Sequence, residues 1–167
     1  MDITDYTSYA EIRSAIGLSS VELPDDLLAM EMYQNVLQLR LREVNLPAGA
    51  PGTGLLDSRF LAIVATAESS RSETEQKLYA LTRLYATYVV AHEVAMSLSM
   101  RAPKQESDGK RTLVRFSPES TYEVTAGNMK AQVEDLKLQI ENIVEAALSI
   151  PQLFSAVGPG VNVVTNS

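Results

Sequence analysis

Cysteine is absent from the 167 residues, which removes disulfide frameworks, thiolate nucleophiles and cysteine-based zinc sites together. Histidine is nearly so. With His92 alone in the chain, a histidine-based metal cluster is excluded, and a di-iron bundle would need two Glu-x-x-His units. Long apolar runs are missing as well: the most apolar stretch, LYATYVVAHEVAMSLSM, is interrupted by His92 and Glu93, short of the roughly 18 residues a membrane span requires. The opening MDITDYTSYAE is acidic and polar where a secretory leader has a basic start and an apolar run. A soluble protein with no membrane partner, compatible with a reducing compartment, is expected.

What the chain does have is apolar content of 46%, enough for one domain with one core. Its net charge of −7 is unevenly spread. Between Arg101 and Arg115 stand five basic residues (Arg101, Lys104, Lys110, Arg111, Arg115) and two acidic ones (Glu106, Asp108), a local +3, so the remainder carries −10. This basic island reads as a solvated segment rather than a nucleic-acid site, because a dedicated binder presents a basic face with interleaved aromatics.

Helical periodicity dominates. Ser8-Tyr9-Ala10-Glu11 is a capping-box pattern, and Ile12, Ile16 and Gly17 follow as an apolar face and a stop. Pro24, Asp25 and Asp26 mark a second start, from which Leu27, Met30, Tyr33, Leu37, Leu41 and Val44 recur at steps of three and four. One helix through this whole stretch is expected. NLPAGAPGTGLLDS, residues 45–58, reads as a loop; its Gly49-x-x-x-x-Gly54 spacing lacks the Lys and Ser/Thr of a phosphate loop, and no strand precedes it. A third helix is expected over Ser58 to Ala67. A long fourth runs from Glu73 to Ser99, with Leu78, Leu81, Tyr85, Tyr88, His92 and Ala95 on one face. The last keeps a four-three alternation through Tyr122, Ala126, Met129, Val133, Leu136, Ile140, Ile143 and Ala147 until Pro151, the pattern of a long helix packed along another.

Between the two long helices lies KQESDGKRTLVRF. Asp108-Gly109 is a hairpin signal, since a type I′ turn needs positive φ at both central positions. That register sets Ser107 opposite Lys110 and Glu106 opposite Arg111, with Thr112, Val114 and Phe116 on one face. A lone hairpin is marginal in water, so it should lean on its own bundle or on a neighbour. The final GPGVNVVTNS continues as a β-branched strand pattern, which reads as a tail that adds a strand to a partner's edge through Val161, Val163 and Val164. The fold class expected is therefore mainly α: a bundle of four to five helices over residues 1–157, a small hairpin at about 103–116, and an extended arm over 158–167.

Chemistry-bearing groups are sparse. His92 sits within an apolar helical face, where a packed or hydrogen-bonded core histidine is expected rather than a member of a Ser-His-Asp set. Asp25/Asp26 and Glu134/Asp135 are adjacent on helices and do not face each other as acid/base dyads. Tyr79, Tyr85 and Tyr88 read as core or interface residues. No catalytic residue, cofactor or metal is expected. A helical enzyme would need polar groups converging on a pocket around His92.

The order of parts resembles a known family. DYTSYAEIRSAIGLSSVELPDDLLAM, then LYALTRLYATYVVAHEVAMSL, PKQESDGKRTLVRFSP and a long closing helix, together nearly the whole chain, are similar to head-tail connector proteins of tailed bacteriophages, the adaptor or head-completion proteins beneath the portal. The resemblance implies a non-enzymatic virion protein of the neck, assembled from the host cytoplasm into a ring, typically a dodecamer, coaxial with the portal protein and offering its far face to a tail or neck protein. DNA would pass through the lumen without specific binding, and an acidic wall would repel its phosphates. It implies Lys110, Arg111 and Arg115 at ring or neck contacts and Val161, Val163 and Val164 at the portal. The alternative from another class is an intracellular helical adaptor or chaperone that binds one protein client.

Overall fold

The computed structural model describes residues 2–44, 55–101, 106–107, 112–113 and 118–149. Six α-helices lie among them: α1 (Tyr9–Ile16), α2 (Asp25–Leu28), α3 (Glu31–Arg42), α4 (Leu56–Ala65), α5 (Glu73–Arg101) and α6 (Pro118–Ser149). The mainly helical bundle is as expected. Short 3₁₀ turns, Ile3–Asp5 and Glu68–Ser70, precede α1 and α5.

At α1 the local code works as written. Ser8 Oγ accepts from the Glu11 N–H at 3.2 Å and the Glu11 carboxylate accepts from the Ser8 N–H at 3.0 Å, so two orphan donors are satisfied reciprocally. Gly17 closes the helix at φ 81°, in the left-handed region that glycine enters without a Cβ penalty.

The single helix expected after Pro24 is two. Ala29 ends α2, Met30 is extended, and the Gln34 side-chain amide donates to the Ala29 carbonyl at 3.3 Å across the break. Leu28 and Tyr33 are both buried, and in one continuous helix five residues would turn them about 140° apart. The break lets both face inward. Its consequence is that Leu27 and Met30, expected on the core stripe, are exposed, and Met32 joins them.

α5 is the axis of the molecule. Tyr85, Ala86, Val89, Val90, Ala91, Val94 and Ala95 are all buried, which covers the helix on every side, and α1, α3, α4 and α6 each pack against it. Along its length runs α6, with Ala126, Met129, Val133, Leu136, Ile140 and Val144 buried. The four-three alternation fails in one step. Val144 takes the buried place expected of Ile143, because a 3.6-residue helix drifts off a strict 3.5 repeat. α6 also begins a turn before Tyr122, at Pro118, whose fixed φ suits a first helical position.

Aromatic stacking ties the N-terminus to the core: Tyr6 lies 5.0 Å from Phe60 of α4, which lies 5.4 Å from Tyr79 of α5. Burial and the Asp57 carboxylate that accepts its hydroxyl proton push the Tyr6 phenol well above the usual tyrosine range. Arg71 packs its guanidinium 4.8 Å over the Tyr79 ring while donating to the Ile63 and Thr66 carbonyls at 3.0 and 3.1 Å. One side chain thus caps the negative end of α4 and covers the stack.

Two strands of two residues each, β1 (Glu106–Ser107) and β2 (Thr112–Leu113), pair antiparallel between α5 and α6. This does not support a hairpin over 103–116, and the register differs from that expected. Glu106 stands opposite Leu113 and Ser107 opposite Thr112, so four residues separate the paired strands where an Asp-Gly turn would leave two. Arg111, expected opposite Glu106, lies outside the described residues. Residues 45–54, the Asp108-Gly109 turn, Pro151 and the 158–167 arm lie outside the described residues.

Candidate functional site: a groove between the two long helices

α5 and α6 are in contact along their length, but toward the ends that join residues 102–117 they leave an open groove of about 390 Å³. Val89 and Met96 of α5 and Ala126 and Val133 of α6 give it an apolar floor. The groove exists partly because of one residue. Gly127 sits mid-helix on α6 at its lining, and a Cβ built there would meet nothing within 4 Å.

Charged groups ring this floor. Glu93, Glu123 and Glu134 contribute carboxylates, and Arg40 of α3 and Lys130 contribute cations. Arg40 is already engaged, bonded to Glu43 at 2.9 Å, and that carboxylate holds its guanidinium above the usual arginine range. Glu123 and Glu134 have no ion-pair partner among the described residues. Beneath Arg40, Tyr85 donates to the Arg40 carbonyl at 3.1 Å; burial, opposed by the Arg40 charge and reinforced by Glu43, Glu134 and Glu141, pushes its phenol up to about 12.

His92 lies at this groove rather than in the core. Its side chain is 20% exposed and Nδ1 stands 3.3 Å from Glu93 Oε1. Of the packed or hydrogen-bonded core histidine expected, the hydrogen bond is present, to Glu93, but the ring is part-buried rather than in the core, because α5 turns Ala91 and Val94 inward at that level. A pocket of the kind a helical enzyme would need does surround it. The walls are helix interiors whose backbone N–H groups are spent on helix bonds, so no free pair faces the groove to bind an oxyanion. No Ser, Thr, Tyr or Cys is among its described lining, so a His-activated hydroxyl or thiol is not provided there. Among the described residues no three His, Asp or Glu side chains come close enough to hold a metal, and no helix is long and apolar enough to cross a membrane. What the arrangement can do is bind: apolar surface below, net negative charge around it.

Lys110, Arg111, Arg115, Val161, Val163 and Val164, the interaction residues expected from sequence, all lie outside the described residues. The groove itself was missed. Its sequence signal was Gly127, a lone glycine inside an otherwise unbroken helical pattern, where it weakens the helix relative to alanine. The chain matches no protein-family model, and no curated protein or solved structure shows significant similarity to it.

Proposed function

We propose that this chain is a structural interaction protein of the bacteriophage neck, forming a ring beneath the portal that extends the DNA channel and offers its opposite face to the tail. In this reading it is not an enzyme and needs no cofactor. The observation that carries it is the join between α5 and α6. Neighbouring helices in a bundle are usually connected by about 2–8 residues, whereas here residues 102–117, with an antiparallel ladder among them, stand between two helices already packed together. An insertion of that length contributes nothing to closing the helix pair. It suits an arm that reaches a neighbouring subunit or ring, as the resemblance in the order of parts implies.

Electron microscopy of the purified chain, alone and mixed with a phage portal ring from the same source, tests the proposal. Rings coaxial with the portal are expected. A chain that stays monomeric and leaves the portal bare refutes it. The second reading, an adaptor for one protein client, is favoured by the α2–α3 break, which turns Leu27, Met30 and Met32 outward beside one another in sequence. It requires a small fixed stoichiometry and no ring.

A further inference from the structure

Resting on the ring reading, we infer that the groove at Gly127 is the socket for a second copy of this chain, and that its occupant is the basic, apolar segment Lys110–Phe116 of that copy. Three observations converge on this pairing. The groove has an apolar floor, at Val89, Met96, Ala126 and Val133, that the described residues do not fill. Its rim holds three carboxylates, two of them without an ion-pair partner among the described residues, against Lys130 and an Arg40 that Glu43 already neutralises. In a chain of net −7, the stretch 101–115 gathers five basic residues against two acidic ones, and its second half, KRTLVRF, places Leu113, Val114 and Phe116 among Lys110, Arg111 and Arg115.

Gly127 supplies the geometric reason. A glycine in a helix interior is destabilising by about 0.5–1 kcal/mol relative to alanine, and no atom of the described residues lies close enough to forbid a methyl group there. Its bare backbone therefore serves something outside the described body that must approach α6 closely. A ring needs such a match: head-to-tail contacts join two different patches, and every copy carries both the socket and the segment that fills it. Complementary charge would fix the register and speed the encounter, while the apolar contacts hold the complex.

The absence of cysteine makes the test clean, since any introduced pair is the only thiol pair present. Chains carrying Gly127→Cys are mixed with chains carrying Val114→Cys under mild oxidation, alone and on portal rings, and compared with Gly127→Cys mixed with Val21→Cys, an exposed site outside the groove. Disulfide formation between copies about tenfold faster than the control, and slowed by added salt as surface charge is screened, is the expected result. Rings that form while both pairs react equally overturn the socket and leave the ring reading standing. If a chain carrying both Gly127→Cys and Val114→Cys instead closes on itself at high dilution and copies react only at the control rate, the segment belongs to its own groove and the inference is wrong. Absence of any association, alone or on the portal, sinks both.

Discussion

Glu11 gathers more interactions than any other carboxylate described here: the Ser8 N–H, the Thr7 hydroxyl and the Arg83 guanidinium all donate to it, the last at 2.8 and 2.9 Å. Burial works against its charge, but these donors outweigh it and pull its pKa down to about 2. A carboxyl group depressed in the folded state adds stability that is fully present above its unfolded value, about 4.3, and is lost as pH falls through the folded one. Both partners are more than a third exposed, so solvent screening limits the contribution. Glu11→Gln should therefore cost about 1 kcal/mol at neutral pH, with mutant and parent urea midpoints converging as the pH is lowered from the ordinary carboxylate range to that of the folded group. Equal midpoints at neutral pH would show the network contributes nothing. Thr82 presents the opposite situation. It is fully buried in α5 and its hydroxyl has no hydrogen-bond partner among the described residues, so the group was desolvated without recompense. Thr82→Val, which keeps the branched shape, should raise stability by about 1 kcal/mol, read as a higher thermal midpoint.

Elements show the same tension between local code and packing. Gly127→Ala adds a methyl group to open space and removes a poor helix former, so α6 should gain about 0.5–1 kcal/mol. Thermal unfolding measures that gain; a lower midpoint would mean that the glycine is needed within the subunit itself. The boundaries of α1 were legible because they are written in local chemistry, Ser8 with Glu11 at one end and Gly17 at the other. So was the pairing of α5 with α6, through apolar spacing that only a long neighbouring helix could cover. The α2–α3 break was not legible, since no Gly or Pro stands at Ala29-Met30 and the cause lies in burying Leu28 and Tyr33 together. Nor was the position of His92: apolar neighbours in sequence do not say which of them a helix buried on all sides will turn toward a gap. The groove depends on the spacing of two helices and one missing side chain, of which sequence displays only the glycine.

At the scale of the whole molecule, the body and the 102–117 connection can be separated energetically. Buried apolar contacts of α5 with α1, α3, α4 and α6 hold the described body together. Closing a flexible loop costs free energy that grows only with the logarithm of its length, so a Gly/Ser segment of equal length substituted for residues 103–116 should leave the α5–α6 pair intact. Helical circular dichroism should be unchanged and unfolding should remain one cooperative transition. Charge and apolar side chains of the basic island would be gone, however, and with them the contacts that the ring reading assigns to Lys110, Arg111 and Arg115. Electron microscopy should then show portals without attached rings, although the subunit is folded. If rings assemble normally on this variant, neither the arm nor its groove can be what joins one copy to the next. Loss of cooperative unfolding would instead make the connection part of the core, and the division between a self-sufficient body and an outward-reaching arm would be wrong.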